Sequence, residues 1–136
     1  MNSSLSKGQI KSFVEKNNID LNLYESQDYH SYNDFFTRTI KEGVRHIDED
    51  ESALIAPCDS KLTVYPIADS LQLKIKNSFY TIEDLLMSPT LADEYRGGLC
   101  LVFRLTVDDY HHYHFIDDGT AEKDHFIKGI FHTVNP

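Results

Sequence analysis

The chain has 136 residues, with 13 Lys and Arg against 22 Asp and Glu, a formal net charge of −9, and 40% hydrophobic and 26% charged residues. This is the balance of a soluble globular domain, long enough for one core and too short for two sizeable domains, and it excludes collagen-like, coiled-coil and low-complexity chains. The longest unbroken apolar run, 99–103, is too short for a transmembrane helix, and the acid excess argues against nucleic-acid binding, which needs clustered Lys and Arg.

Taken in order, residues 1–10 (MNSSLSKGQI) lack the apolar core of a signal peptide. Residues 5–17 place Ile10, Phe13 and Val14 at helical spacing, and Asn17 and Asn18 end that helix. Ser31 is the predicted N-cap of a second helix, with Asp34 three residues on and Phe35, Phe36 and Ile40 on its buried side. After Gly43 alternation takes over. Residues 61–65 and 71–76 read as strands, with Pro66 in their connection. Thr81 caps a short helix over 82–87, and residues 91–95 add a turn. Residues 99–107 form a strongly apolar strand, 117–119 a turn, and 123–134 a further strand.

With no βαβ rhythm, the expectation is a single α+β domain, helical over 1–42 and strand-rich over 43–136, with N-terminal helices packed on a mostly antiparallel β-sheet. The end at 134–136 (VNP), directly after a strand pattern, predicts a piece of something longer. Its unpaired edge could pair with a second copy of the chain, giving a homodimer. Cys58 and Cys100 are not spaced as a CxxC pair and read as small apolar residues in a reducing compartment.

The chemistry concentrates in 108–114 (DDYHHYH), where two acids and three imidazoles follow the most apolar strand. Residue types alone leave three readings open. One is acid–base catalysis, since imidazole titrates near neutrality and a carboxylate can fix its tautomer. The second is a zinc or iron site at His112 and His114. The third is a polar sheet rim without chemistry, as in a lipid- or partner-binding module. In an extended chain His112 and His114 share a face and His111 points the other way. Asp59, after Pro57, is a turn residue on composition alone and otherwise a carboxylate held on a rigid connection.

Several segments then fit one family in order: 33–38 (NDFFTR), 45–48 (RHID), 56–59 (APCD), 76–80 (KNSFY) followed by a Leu-Leu helix, Gly97-Gly98, Asp109, Tyr110 and His111 with His114, 115–119 (FIDDG) and 133–136 (TVNP). Throughout 31–136 the chain resembles phosphatidylserine decarboxylase, in the front part of its precursor. Ser60, Asn77, His112 and His46 depart from the family's usual residues, and the acid and imidazole positions stay intact.

The resemblance implies an enzyme that converts phosphatidylserine to phosphatidylethanolamine and CO2 through a Schiff base on a pyruvoyl group. That cofactor arises by self-cleavage at a Gly-Ser-Thr sequence, and this chain has no Gly-Ser dipeptide. It therefore reads as an inactive segment of the large β chain, whose partner is a small α chain carrying the pyruvoyl group. The resemblance assigns His114 as the base for the attacking serine, with Asp59 as its carboxylate partner. His111 becomes the substrate-engaging proton donor, with Asp109 supporting a histidine. It requires no metal, and it puts the intact enzyme peripherally on the cytoplasmic face of the bacterial cell membrane, with the segment soluble by itself.

Overall fold

The computed structural model describes residues 2–25, 28–75, 78–121, 123–124 and 126–129. These fall into two compact units. The first holds the described residues up to Thr63 together with Val102–Asp118, and the second Val64–Leu101 with the described residues from Gly119 on.

In the first unit the Ser3 hydroxyl accepts the Leu5 N–H and opens a 3-10 turn over Ser4–Gln9, which runs into helix α1, Ile10–Lys16. Helix α1 ends where the sequence predicts: the Asn17 side chain donates to the Phe13 carbonyl at 2.8 Å and Asn18 takes a φ of 51°. Helix α2, Tyr32–Phe36, starts at Ser31, whose hydroxyl accepts the Asp34 N–H. The Asp34 carboxylate in turn accepts the His30 N–H at 2.8 Å, so the helix start is tied from both sides.

Aromatic side chains make this unit's interior. Phe35 is fully buried and meets Phe13, Tyr29 and Tyr32 at 5.9, 5.4 and 5.9 Å between ring centroids. Arg38 is buried with them. Its guanidinium lies 4.2 Å from the Tyr24 ring and 4.9 Å from the Phe35 ring, and it donates to the Tyr24 hydroxyl at 3.1 Å. Its Nε and Nη1 have no hydrogen-bond partner among the described residues, so the faces of two rings offset the cost of a desolvated cation. Tyr24 also bridges Ile40 in antiparallel fashion, flanked by hydrogen bonds from Glu25 to Thr39 and from Lys41 to Leu23.

Strand β1, Lys61–Pro66, forms a two-stranded sheet with β4, Leu99–Arg104. In the second unit β2, Leu73–Ile75, pairs antiparallel with β3, Ser78–Tyr80, setting Leu73 against Tyr80. Leu73 and Ile67 are buried here. Gly97 adopts a φ of 77°, which a side chain would strain, and its N–H reaches the Ile67 carbonyl while Ile67 donates to Gly98. Helix α4, Pro89–Glu94, has Ser88 as its cap and Pro89 at its first position.

Helix α3, Ile82–Leu86, carries a full capping box at Thr81 and Asp84. The Asp84 carboxylate accepts both the Thr81 N–H and hydroxyl at 2.8 Å, and these bonds hold its carboxyl below the ordinary 3.8. A lowered folded value means the cap's contribution is complete above that ordinary value and fades as pH falls through the lower folded one. Amide protection in the first turn of α3 is therefore expected to drop below about pH 3.8. Hydrogen exchange across that range checks this, with Asp84→Asn as the variant whose protection no longer follows pH.

The α+β class is the one read from the sequence, and among the described residues the strands form two separate two-stranded sheets rather than one. The strand read over 71–76 contracts to β2, and the three residues of β3 carried no periodic signal. The strand read over 99–107 stops at Arg104, because the chain turns back on Thr106. The strand read over 123–134 is not formed at 123, 124 and 126–129, where no strand pairs with it; its other positions lie outside the described residues. Cys58 and Cys100 are free and half-buried.

Candidate functional site

Past β4 the chain leaves extended geometry. The Asp109 carboxylate accepts the Thr106 N–H and, at 3.0 Å, its hydroxyl, while the Asp109 N–H returns to the Thr106 carbonyl at 3.1 Å. The Thr106 hydroxyl also donates to Asp108 at 2.7 Å, which holds the Asp108 carboxyl below its usual range. This closed turn aims residues 110–114 back over the first unit.

There the segment meets 56–60. The His114 N–H donates to the Pro57 carbonyl at 2.9 Å, fixing one backbone against the other. An open groove of about 590 Å³ runs between them, with Asp59, His112, His114, Tyr110, Arg45 and Cys58 on its wall and Ile47, Leu54, Ile55 and Tyr113 supplying apolar surface.

Asp59 and His114 thus line the same groove. Among the described residues no hydrogen bond joins them directly. The carboxylate of Asp59 is held instead by Arg45, whose Nε lies 2.9 and 3.1 Å from its two oxygens and whose Nη2 lies 2.5 Å from one of them. That bond holds the Arg45 proton more tightly than usual, against the opposing effect of burial. His114 finds its orienting acceptor in the backbone: Nδ1 is 2.9 Å from the Phe115 carbonyl. A carbonyl can only accept, so Nδ1 carries the hydrogen and Nε2 keeps a free lone pair in the neutral ring.

His111 sits elsewhere. Its ring packs on Phe36 at 4.0 Å, half-buried, and its Nε2 donates to the Thr106 carbonyl at 2.9 Å; it is not part of the groove wall. Among the described residues Asp109 has no hydrogen bond to a histidine; Thr106 bonds both Asp109 and His111. His112 stacks on Tyr110 at 4.5 Å, and its Nε2 donates to the Thr37 carbonyl at 3.2 Å, leaving Nδ1 as the acceptor. The 33–38 run is thus a wall for this segment, with Phe36 under His111 and Thr37 on His112. Phe35 is buried as read from the sequence, whereas Phe36 is half-buried and Ile40, half-buried as well, lies beyond the end of α2.

Arg45 and His46 are groove residues to which the sequence reading gave no role. They were quoted only within the family segment 45–48, with His46 as a departure from the usual residue. Among the described residues no three His, Cys, Asp or Glu side chains converge as a metal site, so His112 and His114 lack a third ligand of that kind.

The sequence model of the phosphatidylserine decarboxylase family matches residues 32–136. The chain is 51% identical over 133 residues to phosphatidylserine decarboxylase proenzyme 2 of Clostridium acetobutylicum, covering 96% of this chain and 46% of that protein. It is 42% identical over 137 residues to the phosphatidylserine decarboxylase proenzyme of Clostridium tetani, covering 98% and 46%. Against the proenzyme of Clostridium perfringens the identity is 39% over 137 residues, covering 98% and 47%. The chain spans about half the length of these curated relatives. With that family's sequence model matched over most of its residues, the chain belongs to the phosphatidylserine decarboxylase family.

Proposed function

We propose that residues 1–136 are part of the large chain of a decarboxylase that converts phosphatidylserine to phosphatidylethanolamine and CO2. Its partner is the small chain that carries a pyruvoyl group, and the 136 residues alone are inactive. One observation carries this reading: Asp59 and His114 share a groove, and the ring nitrogen of His114 that is not tied to the backbone keeps its lone pair.

Such a groove suits a serine hydroxyl that enters from outside these residues. His114 Nε2 takes the hydroxyl proton as the oxygen attacks the preceding carbonyl. The imidazolium so formed, stabilised by the Asp59 carboxylate across the groove, gives that proton to the amide nitrogen as the C–N bond breaks, and the ester left behind is lost by elimination to separate the chains. The pyruvoyl group left by that cleavage supplies the electron sink for loss of CO2. His111, in its imidazolium form, gives the proton on Nδ1, the nitrogen not bonded to Thr106, to the carbon that lost CO2 and is reprotonated there by solvent. Asp109 acts as its positioning residue, because it fixes the turn that presents the Thr106 carbonyl. The enzyme works at the cytoplasmic face of the cell membrane as a peripheral protein; among the described residues no helix is long and apolar enough to cross a membrane.

The test uses the complete precursor containing residues 1–136. It is expected to split into two chains, the smaller one blocked at its N-terminus. His111→Ala is expected to split near the parental rate and to release CO2 from phosphatidylserine at least about 100-fold more slowly. A precursor that decarboxylates the lipid while remaining one chain overturns the reading.

A further inference from the structure

The groove contains a charged contact that the mechanism above leaves unused. Arg45 grips Asp59 by the side of its guanidinium, Nε and Nη2 toward the two carboxylate oxygens, which is the two-point geometry that fixes a carboxylate in plane and direction. Residues 46–58 between the partners contain no helix or strand, and the hydrogen bond from the His114 N–H to the Pro57 carbonyl ties the backbone two residues before Asp59 without touching its side chain. The His114 ring gives no hydrogen bond to that carboxylate, since its Nδ1 is committed to the Phe115 carbonyl. Among the described residues, the side-chain hydrogen bonds that direct the Asp59 carboxylate come from Arg45.

We propose that Arg45 is the positioning residue for Asp59: its guanidinium holds the carboxylate facing the groove, so that the carboxylate can stabilise the imidazolium of His114. This rests on the reading of His114 and Asp59 as the self-cleavage pair. Lysine, a point charge with no fork, reproduces the attraction without the direction.

The first-order rate of chain cleavage in the complete precursor tests this with Arg45→Gln, Arg45→Lys, Arg45→Ala, Asp59→Asn and the Arg45→Gln/Asp59→Asn double variant. Arg45→Gln is expected to slow cleavage about 100-fold, the cost typical of a misplaced catalytic group. Arg45→Lys falls between it and the parent. The double variant is expected to be no slower than Asp59→Asn alone, because both changes remove the same contact. Added methylguanidinium restores part of the rate to Arg45→Ala and none to Asp59→Asn, a response that loss of packing would not give. The inference is overturned by parental cleavage in Arg45→Gln, by independent multiplying losses in the double variant, or by an absence of guanidinium rescue. If the parent precursor does not cleave, or His114→Ala cleaves as fast as the parent, the self-cleavage reading itself fails and this inference with it. Normal dependence on His114 with indifference to Arg45 removes this inference alone.

Discussion

Replacing His114 with alanine is expected to slow chain splitting in the complete precursor by between about 100-fold and 10,000-fold, the range of a general base. The argument runs from geometry. Serine hydroxyl is a weak nucleophile until its proton is taken, and among the groove's imidazoles His114 is the one whose backbone is hydrogen-bonded to the 56–60 segment that bears Asp59. Its free nitrogen is Nε2, since the Phe115 carbonyl fixes the hydrogen on Nδ1. Asp59→Ala is expected to block splitting as well, by removing the charge that stabilises the protonated ring. The two variants together should cost little more than His114→Ala, because a carboxylate has nothing to stabilise once the base is gone. Gel analysis of precursor and products over time reads all three. Both single variants splitting at the normal rate would show that this pair does not perform the cleavage.

Phe35→Ala is expected to cost about 3–5 kcal/mol, the range for emptying a fully buried aromatic position. Three rings and the Arg38 guanidinium meet Phe35, and Phe13, Tyr32 and Arg38 each have further partners that moving in would break. Against a typical domain stability of about 5–15 kcal/mol, that loss removes much of the margin of the first unit. Its effect should extend to the groove: Phe36 of the same helix carries His111, and the next carbonyl, on Thr37, holds His112. Urea unfolding followed by near-ultraviolet dichroism of the tyrosines measures the change, with Phe35→Leu losing less because it keeps most of the volume. An unchanged midpoint in Phe35→Ala would mean that the cluster is not the centre of the unit.

What the sequence made legible was local. The caps at Ser31 and Thr81 depend on residues three apart, and both formed as read. Alternation put His112 and His114 on one side and His111 on the other. The groove wall carries His112 and His114 without His111, but Tyr113 between them lines it too, because the segment is not a strand. The turn at Thr106 was hidden, since it needs the Asp109 carboxylate to take a backbone N–H that a strand would otherwise use. Hidden too was the grip of Arg45 on Asp59, because fourteen positions of irregular chain separate the partners and no periodicity spans them. The roles of His111, His114, Asp59 and Asp109 came from family resemblance, and no pattern of spacing could have divided them between cleavage and decarboxylation.

The cation enclosed by Tyr24 and Phe35 has a consequence for alkaline conditions. A lysine in that place would shed its proton as the solution became basic, and its hold on both rings would go with it. A guanidinium keeps its proton where an ammonium would lose it, so the hold on both rings does not fail in that way. What base reaches in this cluster are phenols, and burial pushes the ionisation of Tyr29 and Tyr32 upward.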